Sequence, residues 1–174
     1  MHRLHLLRHA KSGSDDSIDD RDRPLSRRGR EAARRVGESL PGALGGLDLV
    51  LCSTSLRTRE TAELVLAGFV PPPRILFEDT LYLAGPAGLI RRLRRLDEDS
   101  GAVLVIGHNP GLHDLAVSLA ATDSPRYRAL AEGKFPTTAR ASFTVTSSWA
   151  EIGRTRHLLV DYVTPKSMGF AEDD

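Results

Sequence analysis

The amino-acid sequence predicts a three-layer α/β sandwich, with a mostly parallel central sheet and helices on both faces. Three observations carry that expectation. Short apolar runs alternate with amphipathic stretches along the chain, the pattern of strands linked through helices. Ala102 to Ile106 is continuously apolar, as a central parallel strand buried on both faces requires. Arginine and histidine residues follow closely on strand-like runs, where open α/β sheets bind their ligands.

Taken in order, Leu4 to Leu7 reads as a short buried strand, and the polar, acidic stretch Gly13 to Asp22 as a loop. Ser26 is a good N-cap for a helix running to about Leu40, before Pro41-Gly42. On that helix Ala32, Ala33, Val36 and Leu40 recur at helical spacing, with arginines elsewhere around it. Leu49 to Cys52 is a second strand and Arg57 to Leu66 a second helix. After the Pro71-Pro72-Pro73 break, Arg74 to Glu78 is a third strand and Ala87 to Leu96 a third helix. Ala102 to Ile106 is followed by a helix from Gly111 to Ala121. Ala141 to Thr146 and Thr155 to Val163 close the sheet, with Trp149 at the turn between them.

The chain of 174 residues fits one domain, 1–174, and can bury a core. Its apolar share of 40% and charged share of 27% are those of a soluble globular protein. A net charge of +1 gives no global field toward nucleic acid or membrane. The lone cysteine, Cys52, rules out an intrachain disulfide framework and fits a reducing compartment. There is no apolar signal core and no run near the ~20 apolar residues of a spanning helix, so a cytoplasmic protein is expected.

The chemistry concentrates in three segments: Leu6-Leu7-Arg8-His9-Ala10, Ser53-Thr54-Ser55-Leu56-Arg57-Thr58, and Val105-Ile106-Gly107-His108-Asn109-Pro110-Gly111. The expected topology brings all of them to one sheet edge. A neutral imidazole is a competent nucleophile near pH 7. Arg8 and Arg57 can each offer a planar fork to phosphate oxygens, and His108 a further donor. Arg57 falls near a helix N-terminus, whose free N–H groups also favour anions. Phosphoryl transfer through a covalent intermediate needs this combination of nucleophile and oxygen-holding donors.

Blander readings account for the other reactive residues. His2, His5, His113 and His157 read as structural or solvated. His108 and His113 are five apart, the wrong spacing for one helical face, and no Cys/His cluster supports a metal. A cysteine phosphatase would need five residues between Cys and Arg, and only four separate Cys52 from Arg57. Arg91, Arg92, Arg94 and Arg95 read as the wet side of an amphipathic helix. Asp15, Asp16, Asp19, Asp20 and Asp22 read as a solvated loop.

These residues resemble the histidine phosphatase (phosphoglycerate mutase-like) superfamily: Leu7-Arg8-His9-Ala10, then Ser53 with Arg57-Thr58 and Glu60-Thr61-Ala62, then Gly107-His108-Asn109. Further segments resemble its SixA-type phosphohistidine phosphatase branch: Arg8-His9-Ala10-Lys11-Ser12, Arg23-Pro24-Leu25-Ser26 with Gly29, Gly107 to Leu112, Lys134-Phe135-Pro136-Thr137, and Pro165-Lys166. The resemblance spans essentially the whole chain. It implies that His9 becomes phosphorylated and that Arg8, Arg57 and His108 form the phosphate pocket, with Asn109 beside them. Larger members place a carboxylate acid near the position of Glu78 and Asp79, which makes these two the candidate acids. No cofactor or metal is implied. The implied substrate is phosphohistidine on a protein. The alternatives are a small phosphate ester as substrate, or a non-catalytic phosphate-binding module. A mutase is disfavoured, since the 62–105 span holds a strand and a helix and leaves little for a lid.

Overall fold

The computed structural model describes residues 1–170. Six strands form one sheet: β1 (His2–Arg8), β2 (Leu49–Ser53), β3 (Arg74–Glu78), β4 (Ala102–Gly107), β5 (Arg140–Val145) and β6 (Leu158–Val163), in the order β3-β2-β4-β1-β5-β6. The first four in that order run parallel, and β5 and β6 are antiparallel to their neighbours. Alternate residues of each strand enter different cores. Leu4, Leu6, Leu51, Val103 and Val105 pack on one face, while Leu7, Val50, Cys52, Leu104 and Ile106 pack on the other.

Helices α1 (Arg27–Leu44) and α2 (Leu56–Val65) cover the face that includes Leu7. Helices α3 (Pro86–Leu93), α4 (Gly111–Leu119) and α5 (Tyr127–Glu132) cover the other. The helices after β1 and β4 therefore leave toward opposite faces, although these strands are neighbours. Such a divergence opens a crevice beyond the carboxyl ends of the two strands. His9 and His108 immediately follow them.

The sequence pattern misjudged several boundaries. Helix α1 does not stop before Pro41 but runs to Leu44, with Gly45 closing it at φ 69°. A proline removes one N–H bond, yet Leu40 and Leu44 are both buried, and keeping them on the core outweighs that loss. Helix α3 is shorter than its leucine pattern suggested: beyond Leu93 the chain continues in tight turns that still bury Leu96. Strand β6 starts at Leu158 rather than Thr155. Helix α5 was not anticipated, because its short span offers a single buried residue, Leu130, and no periodic pattern. Trp149 does lie between β5 and β6, fully buried, with its indole N–H donating to Ser100 O at 2.8 Å.

Two glycines let the helices that follow β1 and β4 pack tightly against neighbouring backbone. A Cβ on Gly29, in the first turn of α1, would sit 2.0 Å from Lys11 O. One on Gly111, where α4 begins, would sit 1.8 Å from Ala84 O. Neither obstacle is the end of a flexible side chain, so the backbone itself would have to move. Gly42, inside α1, meets nothing within 4 Å. We expect Gly111→Ala to destabilise the fold by about 2 kcal/mol or more. Gly42→Ala should be neutral or stabilising by up to about 1 kcal/mol. Urea denaturation of both variants checks this, and equal midpoints would contradict the packing argument.

Candidate active site

The crevice between β1 and β4 is a cleft of about 750 Å³, lined among others by Arg8, His9, Arg57, His108, Asn109 and Asp20. His9 is fixed by the strand that precedes it. Its backbone N–H donates to Gly107 O at 3.1 Å, tying it to the end of β4. Its ring Nδ1 lies 2.7 Å from Ala10 O. A carbonyl only accepts, so Nδ1 carries the proton and Nε2 keeps a free lone pair. Burial, with Arg8, His108 and Arg57 nearby, pushes its pKa down to about 3 although the Ala10 bond opposes the shift. The ring is therefore neutral at physiological pH.

His108 lies beside His9, ring centroids 5.4 Å apart. Arg57 Nη2 donates to its Nδ1 at 3.4 Å, a long contact. Since a guanidinium cannot accept, the His108 proton sits on Nε2 and is donated to Ser53 Oγ at 2.7 Å. Burial and the Arg57 charge push the His108 pKa down to about 4.

Arg57 is the second residue of α2, whose first turn is capped by Ser55 accepting from Thr58 N. Its guanidinium is buried, with a side-chain exposure of 3%, and bound to Asp20. Arg8 and Asn109 share one anchor: Phe135 O accepts from Arg8 Nη1 at 3.1 Å and from Asn109 Nδ2 at 2.7 Å. The Lys134-Phe135-Pro136-Thr137 segment is thus the floor that orients two cleft residues. The neighbouring Thr138, at φ 63°, donates its N–H to the carbonyls of both Arg8 and His9. The other sequence segments are braces. Thr61 Oγ1 accepts from Ala10 N at 3.0 Å, and Glu60 accepts from Leu25 N and Arg30. Arg23 donates to Ser12 Oγ and Gly13 O, holding the loop after β1.

Among the expected site residues, Arg8, His9, Arg57, His108 and Asn109 come together; Glu78 and Asp79 do not join them. Glu78, at the end of the edge strand β3, is engaged by Arg92 through two bonds of 2.6 and 2.9 Å. Asp79 accepts from Arg21 and Thr54 on the surface. Neither lines the cleft. The carboxylate that does is Asp20, which sequence reasoning left among the solvated aspartates. Tyr82 was also missed; its ring stands edge-on to His108 at 5.4 Å and its hydroxyl donates to Asp20. Cys52 is buried, and its thiol is pushed up to about 12 by burial, so it is no nucleophile here. Of the remaining histidines, His2 meets Glu98 and stacks on Trp149, His5 meets Ser142, and His113 meets Leu130 O. Among the described residues, no group of three or more His, Cys, Asp or Glu side chains is placed to hold a metal ion, and no helix is long and apolar enough to cross a membrane.

Two measurements test these electrostatics. Nitrogen NMR at pH 6 should show His9 neutral with its proton on Nδ1, and titration to pH 5 should leave it so. A His9 resonance titrating near 6.5 would contradict the assignment. The same shifts predict acid sensitivity. A histidine whose folded pKa lies below its unfolded value stabilises fully above about 6.5, and that contribution is lost as pH falls toward the folded value. His5 and His9 at about 3 and His108 at about 4 all act in this sense. Stability should therefore decline steadily from pH 6.5 to 4, and a flat profile over that window would refute it.

Comparison with known proteins bears on the family and the fold. The profile of the histidine phosphatase superfamily (branch 1) matches residues 4–78. An uncharacterized protein of Mycobacterium tuberculosis is 37% identical over 163 residues, covering 92% of this chain and 100% of that protein. One of Mycobacterium leprae is 33% identical over 167 residues, with the same coverage of 92% and 100%. Among solved structures, SixA from Nakamurella multipartitia superimposes with a TM-score of 0.81 at 28% identity, covering 94% of this chain and 96% of that one. The protein histidine phosphatase SixA complexed with tungstate does so with a TM-score of 0.76 at 27% identity, covering 95% and 99%. With the family profile matched and SixA structures superimposing over nearly the whole chain, the chain belongs to the histidine phosphatase superfamily, branch 1.

Proposed function

We propose that this chain hydrolyses phosphohistidine on a protein substrate, through a phosphohistidine intermediate on His9. The observation that carries the reading is the state of His9: a neutral ring, its Nδ1 proton bound to Ala10 O, with the Nε2 lone pair available in a cleft lined by the guanidiniums of Arg8, Arg23 and Arg57. Nε2 attacks phosphorus, and the bond to the leaving nitrogen breaks as that imidazole carries off a proton it has taken from solvent. Arg8 and Arg57 hold the phosphoryl oxygens as charge builds on them. His108 adds a donor once its Nε2–H turns from Ser53. Water then releases phosphate from His9. Asn109 shares the Phe135 anchor with Arg8 and so sets the rim of the same pocket.

Substrate class follows from leaving-group chemistry. An alkoxide leaves poorly without a positioned proton donor, whereas a protonated imidazole leaves readily near pH 6.5. Glu78 and Asp79 are tied up outside the cleft, and Asp20 inside it is held ionised by Tyr82, Arg23 and Arg57 with no proton to give a leaving alkoxide, which favours P–N over P–O cleavage. The chain between α2 and β4 is taken up by β3, a short 3-10 turn and α3, so a protein surface can approach the cleft. We assign the enzyme to the cytoplasm, where a buried reduced Cys52 is at home.

His9→Ala should abolish turnover while leaving the protein folded, and brief incubation of the parent with substrate should leave acid-labile, base-stable phosphate on the protein. Phosphate on another residue, or turnover by His9→Ala, would refute the mechanism. Arg57→Ala should cost about 10²–10³-fold in rate, and Arg57→Lys should restore only part because an ammonium lacks the fork. Vanadate should inhibit and EDTA should not; activity lost to EDTA and restored by a divalent ion would point to a metal. Comparing kcat/KM for a phosphohistidine protein and for p-nitrophenyl phosphate should favour the former. With their positions known, Glu78→Gln and Asp79→Asn should leave that preference unchanged. A parent enzyme that prefers the ester would make it a small-molecule phosphatase, and one that turns over neither would make it a binding module.

A further inference from the structure

The loop after β1 inserts one carboxylate into the cleft. Asp20 O accepts from Arg57 Nη1 at 2.6 Å, and Asp20 Oδ2 accepts from Arg57 Nη2 at 3.0 Å. Tyr82 donates to the same Oδ2. Arg23 Nε and Nη2 donate to Oδ1 at 3.1 and 2.9 Å. A carboxylate shared between two guanidiniums and a phenol makes the contacts that phosphoryl oxygens make with such donors. The contact is also divided in a useful way. The backbone carbonyl holds Arg57 whatever the side chain does, while the Asp20 side chain is 46% exposed and has room to turn away.

We propose that Asp20 stands in for phosphoryl oxygens on Arg57 in the unliganded cleft and, once a phosphoryl group replaces it there, is the base that activates the water hydrolysing phospho-His9. This rests on the reading of His9 as nucleophile. In the step, the water oxygen bonds to phosphorus on the side opposite His9 Nε2 while one water proton passes to an Asp20 oxygen. The P–N bond breaks, and its electron pair returns to Nε2 as the lone pair of neutral His9. Inorganic phosphate leaves, and Asp20 releases its proton to solvent. Tyr82 and Arg23 are positioning residues that keep the carboxylate at the mouth of the cleft. At rest the Tyr82 hydroxyl, with Arg23 and Arg57, holds the Asp20 carboxyl well below the usual carboxylate range. Exchanging Arg57 for a neighbouring phosphoryl dianion moves it back up, toward useful base strength.

A mere brace for Arg57 and a stand-in for phosphate make opposite predictions for Asp20→Asn. Losing a brace weakens anion binding, whereas losing a competing anion strengthens it. We expect inorganic phosphate and vanadate to bind Asp20→Asn about tenfold more tightly than the parent. Rapid-quench measurement with a radiolabelled phosphohistidine protein should show phospho-His9 forming at near the parent rate. It should then decay about 10²–10⁴-fold more slowly, so that phosphoenzyme accumulates. Asp20→Glu should recover part of the decay rate. Asp20→Ala provides the same comparison if the amide perturbs folding, which circular dichroism checks for each variant. Weaker phosphate binding, or decay of phospho-His9 at the parent rate, overturns the proposal while leaving His9 as nucleophile. Absence of any phosphoenzyme in the parent at all times overturns the His9 reading and this inference with it.

Discussion

The parallel pairing of β1 with β4 is the constraint on which the site depends. Register puts Arg8 opposite Gly107, so the residues that follow, His9 and His108, emerge side by side from the centre of the sheet. The two chains then part, toward α1 on one face and α4 on the other. A cleft opens because the backbone cannot fill the space between diverging helices. Fully buried Leu4, Leu6, Leu104 and Ile106 on these two strands fix the register against slippage, since a one-residue slip would exchange the two cores. The hydrophobic pattern of the central strands is therefore also what sets the distance between the histidines.

Around that frame the cleft is built from donors that are held and imidazoles that are not charged. Phe135 O holds Arg8 and Asn109, and Asp20 holds Arg57. The loss of solvent and the positive charge of the guanidiniums keep both histidines neutral, so the charge of the site lies on the groups proposed to bind an anion and the lone pair on the group proposed to attack it. A protonated His9 would be a weaker nucleophile and would be repelled by Arg8 and Arg57 alike. Burial and cationic neighbours act in the same direction here, and the tautomer is settled by a carbonyl one residue away.

Glu78, Asp79 and Asp20 show how tertiary contacts reassign carboxylates of similar intrinsic chemistry. Glu78 ends an edge strand, and the α3 side chain Arg92 claims it. Asp79 starts the following turn and joins Arg21 and Thr54 at the surface. Asp20 sits far earlier in the chain, in a loop crowded with aspartates, yet it is the one that reaches Arg57 in the first turn of α2. Arg23 draws that loop inward by bonding Ser12 and Gly13 on one side and Asp20 on the other. The Arg23-Pro24-Leu25-Ser26 segment thus connects the loop to α1 through the Ser26 cap and to α2 through Glu60.

By itself the sequence determined the alternation of strands and helices, the central strand at 102–106, and the grouping of Arg8, His9, Arg57, His108 and Asn109 at one sheet edge. Each of these follows from local periodicity and from the rule that α/β sheets bind ligands beyond their strand ends, which act without knowledge of distant contacts. Tertiary structure decided the rest. It carried α1 past Pro41, because two buried leucines on the core outweigh one missing backbone bond. It formed α5, whose single buried residue left no periodic trace. It placed Asp20 and Tyr82 in the cleft and kept Glu78 and Asp79 out of it, because a carboxylate goes to whichever guanidinium the fold brings within reach, and five aspartates in one loop look alike until the chain has closed around them.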